Sequence, residues 1–245
     1  MNLSIHELLQ KIEGIEVTSN NNDDLFDTSY KYTQTDIDFL ISYFNGNIQI
    51  NHSIFELSPN AFDIIIHAWL SELPVQNEIV RFGHKLIAAA EKNPVSKYNS
   101  VQKAETDRTD INTLTVLNAS GKVYHEVHRL MGLLRFSPDD KGEFIAKCEP
   151  DHFILPALDV YFTARFGETA WSIIDEKRGL TLRRLPGERA EISVKNQYKS
   201  SSPVDEWEDL WKHYHKTINN EDRFNPDLQR QLMPKRYWKY LPEVK

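Results

Sequence analysis

The densest group of residues that could do chemistry is the segment 124–129, which reads Tyr-His-Glu-Val-His-Arg. Histidines and a glutamate on one helix are typical of zinc proteases, but that motif places its histidines four residues apart. His125 and His128 are three apart, and no third ligand is evident. A metal shared by these two side chains is a minor alternative; the structural alternative places His128 at the core edge and His125 in solvent. We predict no bound metal, because one cysteine and scattered histidines do not form a closed site.

A carboxylate beside an imidazole can tune a proton acceptor near neutral pH. Asp175 ends a predicted strand and could supply this carboxylate to His128 or to His152. These three residues are therefore the candidates for general acid and base catalysis in an enzyme that acts on a nucleotide or a nucleic acid. Whether they meet depends on the tertiary fold.

Five arginines could form a surface for phosphate oxygens, since each guanidinium offers a two-pronged fork of donors. They are Arg135, Arg165, Arg178, Arg223 and Arg236. The competing interpretation is structural, because Arg135 lies in a predicted strand and Asp175 ends one. An arginine paired with a carboxylate inside the fold would explain the same residues.

The last 18 residues are basic and rich in aromatic side chains. Lys235 and Arg236 are candidates for phosphate contacts, and Trp238 with Tyr237 could stack on bases. The alternative is an aromatic anchor that pins this segment to the domain. The chain as a whole is acidic, with a net charge of −7 and a pI of about 5.7. We therefore expect weak, salt-sensitive binding, preferably to single-stranded or distorted DNA.

The acidic residues are concentrated in the first half of the chain. Residues 1–120 contain 16 acidic and 8 basic residues, whereas residues 121–245 contain 20 acidic and 21 basic residues. This asymmetry predicts that any nucleic-acid contact is confined to one face, built by the second half.

Several classes of protein are excluded by the motifs that are missing. The sequence has no phosphate-binding loop, no dinucleotide-binding glycine pattern, no hydrolase nucleophile elbow and no pair of cysteines. Its single cysteine, Cys148, can form neither an internal disulfide nor an iron–sulfur cluster, which takes several thiolates. We predict no cofactor on this chain, and any cluster or radical chemistry would belong to a partner.

Four ordered motifs carry a resemblance to a known family. The first is the run 125–136, His-Glu-Val-His-Arg-Leu-Met-Gly-Leu-Leu-Arg-Phe. The second is Pro150 with Ala164-Arg165-Phe166, and the third is Trp171-Ser172-Ile173-Ile174-Asp175 with Arg178. The fourth consists of Leu210-Trp211, Tyr214, Arg223, Asn225-Pro226 and the run 233–239 with Leu241 and Glu243. Together they resemble a bacterial family of unknown function associated with DNA metabolism and DNA repair. The resemblance covers residues 58–243 and is lost over residues 1–57.

The resemblance implies association with DNA and leaves the reaction undefined. Members of this family are typically encoded beside a radical-SAM protein that is thought to act on DNA, and some are joined to a uracil-DNA glycosylase domain. This chain has neither the cysteine triplet of the first nor the catalytic motifs of the second. The resemblance thus implies an accessory component with a radical-SAM protein and DNA as partners, and a structural adaptor without DNA contact is the alternative.

The hydrophobic pattern predicts the elements that position these residues. Residues 1–57 form an N-terminal helical segment and residues 58–245 the family domain. Core helices are predicted after Ser58, which can cap the first of them, over residues 74–91, and over residues 111–131, where Val116, Val123, Val127 and Leu130 form one apolar row.

The spacing of apolar residues then changes from helix to strand. Strands are predicted over residues 133–136, 144–148, 170–175, 180–185 and 190–194, with a helix over residues 154–166. A closing helix carries an apolar face that we predict to be core, made of Trp207, Leu210, Trp211, Tyr214 and Ile218. The fold class is therefore α+β, with an antiparallel sheet of about four to five strands packed with several helices.

The sequence also predicts a cytoplasmic protein without a membrane span. The longest apolar stretch, residues 64–70, is interrupted by His67 and is far shorter than the roughly 18 residues that cross a bilayer. The first residues show no basic and apolar signal pattern.

Overall fold

The computed structural model describes residues 5–14, 31–48, 58–92, 96–194, 206–218 and 225–244. Helices and one five-stranded sheet make the fold α+β, as predicted. The chain forms two compact units, one of residues 1–126 with 151–154 and one of residues 127–150 with 155–245. The predicted boundary at residue 57 marks where the family resemblance ends. It is a boundary of sequence similarity, so the division into two compact units neither supports nor contradicts it.

The first unit is helical, as the apolar periodicity predicts. Its helices are α1 (Ile5–Gly14), α2 (Gln34–Phe44), α3 (Pro59–Trp69), α4 (Gln76–Lys92), α5 (Lys97–Glu105) and the first part of α6 (Ile111–Leu133). Helix α2 begins with a capping box between Thr33 and Asp36, and Gly46, with φ +68°, follows its end.

The predicted cap of α3 is wrong in its detail. Ser58 occupies the position before the helix, but its side chain makes no capping hydrogen bond. Its hydroxyl donates instead to the buried carboxylate of Glu105 at the end of α5. The tertiary contact replaces the local one because a buried carboxylate must have its oxygens satisfied.

Helix α6 extends two residues further than predicted, into the segment where the first strand is predicted. The apolar row of Val116, Val123, Val127 and Leu130 is buried as expected. The helix continues to Leu133, and the N–H of Leu134 still donates to the carbonyl of Leu130 at 3.0 Å. The strand predicted over residues 133–136 is therefore wrong, and Arg135 lies in the connection after the helix.

The second unit contains the sheet, whose strands follow one another in chain order. They are β1 (Ser137–Pro138), β2 (Phe144–Cys148), β3 (Trp171–Asp175), β4 (Leu180–Arg184) and β5 (Glu191–Val194). Strand β1 is a two-residue antiparallel partner of β2, so the first hairpin exists but is displaced along the chain.

The sheet is mostly antiparallel, as predicted, and contains one parallel pair. Strands β3, β4 and β5 pair antiparallel, whereas β2 and β3 pair parallel, with Cys148 opposite Asp175. Helix α7 (Leu155–Phe166) lies between β2 and β3 in the chain. Two parallel neighbouring strands need a crossover connection that brings the chain back to the end of the sheet where the first strand began, and a helix commonly provides it.

The C-terminal part of the second unit contains α8 (Glu206–Ile218), α9 (Pro226–Leu232) and the 3₁₀ helices η1 (Lys235–Tyr240) and η2 (Pro242–Val244). The described apolar side chains of α8 are not core, which corrects the sequence prediction. Leu210, Trp211, Tyr214 and Ile218 are between 39% and 57% exposed. Periodicity identifies an apolar stripe but does not state what it faces.

No helix in the described part of the chain combines the length and the apolar composition that crossing a membrane requires.

Candidate nucleic-acid interface

The basic, aromatic segment of the C-terminal region forms η1, and two side chains fix it to the second unit. Tyr237 is 1% exposed and Leu241, directly after η1, is fully buried. The indole N–H of Trp238 donates to the carbonyl of Met233 at 2.7 Å, which closes the segment on its preceding residues. Tyr237 therefore provides the aromatic anchor that is the structural alternative for this segment.

The anchored segment holds its cations at the surface next to aromatic rings. Lys235, Arg236 and Lys239 are exposed. Each has its charge near a ring, with distances to the ring centroid of 5.9 Å for Lys235 over Trp238, 4.7 Å for Arg236 over Tyr237 and 4.8 Å for Lys239 over Tyr240. Alternating cations and rings can contact phosphates and unstacked bases together. We call Lys235–Tyr240 the basic aromatic surface.

Two carboxylates connect the basic aromatic surface to the ends of the parallel strands. Lys239 pairs with Glu149, directly after β2, and the hydroxyl of Tyr240 donates to Glu176, directly after β3, at 2.8 Å. The hydrogen bond from Lys239 lowers the pKa of Glu149. Burial, together with the nearby Glu176 carboxylate, raises the pKa of Tyr240 well above its usual range. Lys239 is therefore already partly neutralised.

Arg135 pairs with a carboxylate of the same unit. One of its terminal nitrogens donates to Glu243, and the other donates to the carbonyl of Gly132 at 2.9 Å. Its guanidinium lies 5.5 Å from the centroid of the Trp211 ring. Burial acts to raise the pKa of Glu243, but the hydrogen bond and the charge of Arg135, together with hydrogen bonds from the Glu243 backbone and from Trp211, lower this pKa below its ordinary value.

Arg178 also has a buried carboxylate partner, in the turn after β3. Its Nη1 donates to Asp175 at 2.7 Å and to the carbonyl of Pro150 at 3.1 Å. The other oxygen of Asp175 accepts the backbone N–H groups of Lys177 and Arg178 at 3.0 and 3.1 Å. Asp175 is fully buried, and burial raises its pKa, although Arg178 partly offsets this. The contact joins the ends of β2 and β3.

The remaining arginines differ in their surroundings. Arg165 is exposed in the last turn of α7. Arg236 is exposed and also donates to the hydroxyl of Tyr237 at 3.0 Å. Arg223 lies outside the described residues. The predicted arginine surface thus divides into arginines that hold the fold together, Arg135 and Arg178, and arginines that reach solvent, Arg165 and Arg236.

The three acid–base candidates are divided between the two units. His128 is exposed on α6, whereas His152 is buried and its Nδ1 accepts the backbone N–H of Glu72 at 3.3 Å. His152 belongs to the first unit, and His128 and Asp175 belong to the second.

The histidines considered for a metal both lie on the solvent side of α6. His125 and His128 are exposed. Within the described ranges, no group of three or more histidine, cysteine, aspartate or glutamate side chains is arranged to hold a metal ion. The absence of bound metal stays a prediction.

One charged cluster was missed by the sequence analysis. Glu143, buried just before β2, accepts two hydrogen bonds from Arg183 of β4, at 3.0 Å from Nε and 2.6 Å from Nη2, and a third from Ser172 of β3. These residues are far apart in the sequence and follow no motif. The only available signal was the acidic residue at the start of a predicted strand, opposite an arginine in another.

Comparison with known proteins supports the family resemblance in its coarser form. No curated protein matches this chain, and no solved structure does either. One family model matches residues 85–243, more than half of the 245 residues, and this span contains all four ordered motifs. The chain therefore belongs to the DUF4130 family, a domain of unknown function.

Proposed function

We propose that this protein is an accessory protein of DNA metabolism that binds DNA weakly through the basic aromatic surface and works beside a radical-SAM protein. The observation that carries the proposal is the geometry of Lys235–Tyr240. Buried Tyr237 fixes the segment, so exposed Lys235 and Arg236 stay beside the rings of Trp238 and Tyr237. A surface that is organised in advance loses less conformational entropy on binding.

The chemistry of this surface favours single-stranded or distorted DNA. Cations contact phosphates in any nucleic acid, but an aromatic ring can stack only on a base that is not already stacked between neighbouring bases. Trp238 is partly exposed while its indole N–H is held by Met233, so its orientation is fixed. Stacking on such a ring contributes about 1 to 3 kcal/mol per base.

The family resemblance supports the radical-SAM partner, and the single cysteine agrees with it. A protein that acts beside such an enzyme needs no cluster of its own, and Cys148 is buried, with its thiol 3.6 Å from the carbonyl of Ile174. The accessory role is to hold the DNA near the partner's chemistry.

The proposal is tested with the double variant K235A/R236A. Binding of an oligodeoxythymidine of about 20 nucleotides is measured by fluorescence anisotropy across a range of salt concentrations. The affinity of the double variant should fall, and the slope of log affinity against log salt should become shallower by about 1.4, because each phosphate contact on a single strand contributes about 0.7.

The matched control is K103A/R108A, which removes one exposed lysine and one exposed arginine from the first unit. We expect the salt slope of this control to equal that of the unchanged protein. Equal slopes for both double variants, or no binding at low salt, would contradict the proposal and favour the structural adaptor.

A further inference from the structure

Arg135 is a cation of the matched motifs whose surroundings resemble an occupied anion site. It follows α6 and donates to Glu243 in η2, and its side chain is 28% exposed while that of Glu243 is only 3% exposed. Carboxylates and phosphates present similar pairs of oxygens to a guanidinium. One oxygen of Glu243 therefore occupies a position at the guanidinium that a phosphate oxygen would take.

The pair between Arg135 and Glu243 is incomplete. Nε of Arg135 is buried and has no hydrogen-bond partner. In a two-pronged pair both carboxylate oxygens would accept from the guanidinium, but here only Oε1 does. An anion with three or more oxygens could accept from the donor that Glu243 leaves unused.

The surroundings of Arg135 repeat the chemistry of the basic aromatic surface. The ring of Trp211 lies beside the guanidinium and is 39% exposed, so a cation and a ring stand together as they do in η1. Helix η2 begins two residues after η1 ends. It consists of three residues, and a 3₁₀ turn of this length has few hydrogen bonds of its own to lose.

We propose that Glu243 competes with DNA phosphate for Arg135. In the protein without DNA, η2 holds Glu243 against the guanidinium. When DNA binds at the basic aromatic surface, a phosphate replaces Glu243 and η2 moves away from Arg135. This inference rests on the proposed function, because it takes the DNA to arrive through Lys235–Tyr240.

The test uses the full chain with Glu243→Gln, which keeps the shape of the side chain and removes its charge. We expect the variant to bind the oligodeoxythymidine more tightly and with a salt slope steeper by about 0.7, because Arg135 gains a phosphate contact without competition. Adding Arg135→Gln to this variant should abolish both gains. Binding that is unchanged or weaker in Glu243→Gln overturns the proposal.

The matched control is Asp227→Asn in α9. It also removes one negative charge and releases an arginine, since Asp227 pairs with Arg230 at 2.5 Å on the exposed surface. The control should show a smaller gain in affinity than Glu243→Gln. Equal gains in the two variants would show an effect of net charge alone and overturn the proposal.

A second measurement on the unchanged protein keeps the test independent of how the variant folds. Hydrogen exchange of the peptide that contains residues 242–244 should become faster when the oligodeoxythymidine binds, and exchange that is unchanged or slower overturns the proposal. If the unchanged protein does not bind DNA at all, the proposed function fails together with this inference. If K235A/R236A loses affinity as expected while Glu243→Gln behaves like Asp227→Asn, only this inference fails.

Discussion

Buried carboxylates organise this protein at the scale of single residues, and two of them accept hydrogen bonds from donors in distant parts of the sequence. Glu126 of α6 accepts the backbone N–H groups of Asp151 and His152 at 2.9 and 2.8 Å. Glu105 accepts from the side chains of Ser58 and Asn60. Removing one partner of such a group leaves a buried polar atom unsatisfied, which costs more than the bond itself contributes.

His67 shows how one such contact makes stability depend on pH. Its Nδ1 lies 2.8 Å from the carbonyl oxygen of Asp63 and 3.3 Å from a carboxylate oxygen of the same residue, which also accepts from Tyr43 at 3.1 Å. The ring also contacts Phe44 and Tyr124. Burial acts to lower the pKa of His67, but Asp63 outweighs it and raises this pKa above 6.5.

We predict that the free energy of unfolding falls as the pH rises from about 6.5 through the raised pKa of His67 in the folded protein. A raised pKa in the folded state means that the stabilisation is complete below the unfolded value of about 6.5 and is lost as the pH passes the folded value. Chemical denaturation at a series of pH values measures this slope, and Asp63→Asn should reduce it. The exposed His84 provides the control, and His84→Gln should keep the slope. A slope that survives Asp63→Asn unchanged would contradict the assignment.

At the scale of elements, a glycine allows α1 to approach α4. A methyl group built on Gly83 would lie 2.6 Å from both terminal carbons of the Leu9 side chain, which is 2% exposed. Contacts at that distance require the leucine to move. The two helices therefore depend on one small and one large residue facing each other.

We predict a favourable coupling between Gly83→Ala and Leu9→Ala. Gly83→Ala alone crowds the interface, although it gains roughly 1 kcal/mol of helix propensity, and Leu9→Ala alone leaves a cavity that costs about 2 to 5 kcal/mol. In the double variant the new methyl group partly fills the cavity. The loss of unfolding free energy should then be smaller than the sum of the single losses by about 0.5 kcal/mol or more. Additive losses would show that Leu9 moves aside without cost.

At the scale of the whole molecule, the N-terminal segment is part of the first unit's core. Four aliphatic side chains of α1 are at most 2% exposed: Ile5, Leu8, Leu9 and Ile12. Burying one such side chain contributes about 1.5 to 3 kcal/mol, whereas a domain has a net stability of about 5 to 15 kcal/mol. Losing all four is comparable to the whole stability of the unit.

We predict that a fragment of residues 58–245 unfolds at a lower denaturant concentration than the full chain and binds an apolar dye. A point variant separates the loss of burial from other effects of truncation. In the full chain, Leu8→Asp should destabilise strongly, whereas Gln10→Asp on the exposed side of α1 should not. A fragment as stable as the full chain would show that α1 contributes nothing to this core.

The amino-acid sequence determined the helices and most strands because their signals are local. The apolar row of α6 lies on its buried face, and β3 and β4 form where strands are predicted. The family followed from ordered motifs in the same way. The segment Lys235–Tyr240 was recognised from its composition, since lysine and arginine beside tryptophan and tyrosine need no tertiary contact to be seen.

Only the tertiary structure decided which elements meet and which charges are neutralised. The parallel pairing of β2 with β3 depends on where α7 returns the chain, and the exposed apolar side chains of α8 depend on what packs against them. Arg135 has Glu243 as its partner across 108 positions of sequence. A local pattern indicates which chemical groups a side chain can bind, but it does not identify the partner. The partner depends on the free energy of the entire fold, because a buried charge needs a hydrogen-bond donor or acceptor wherever the fold supplies one.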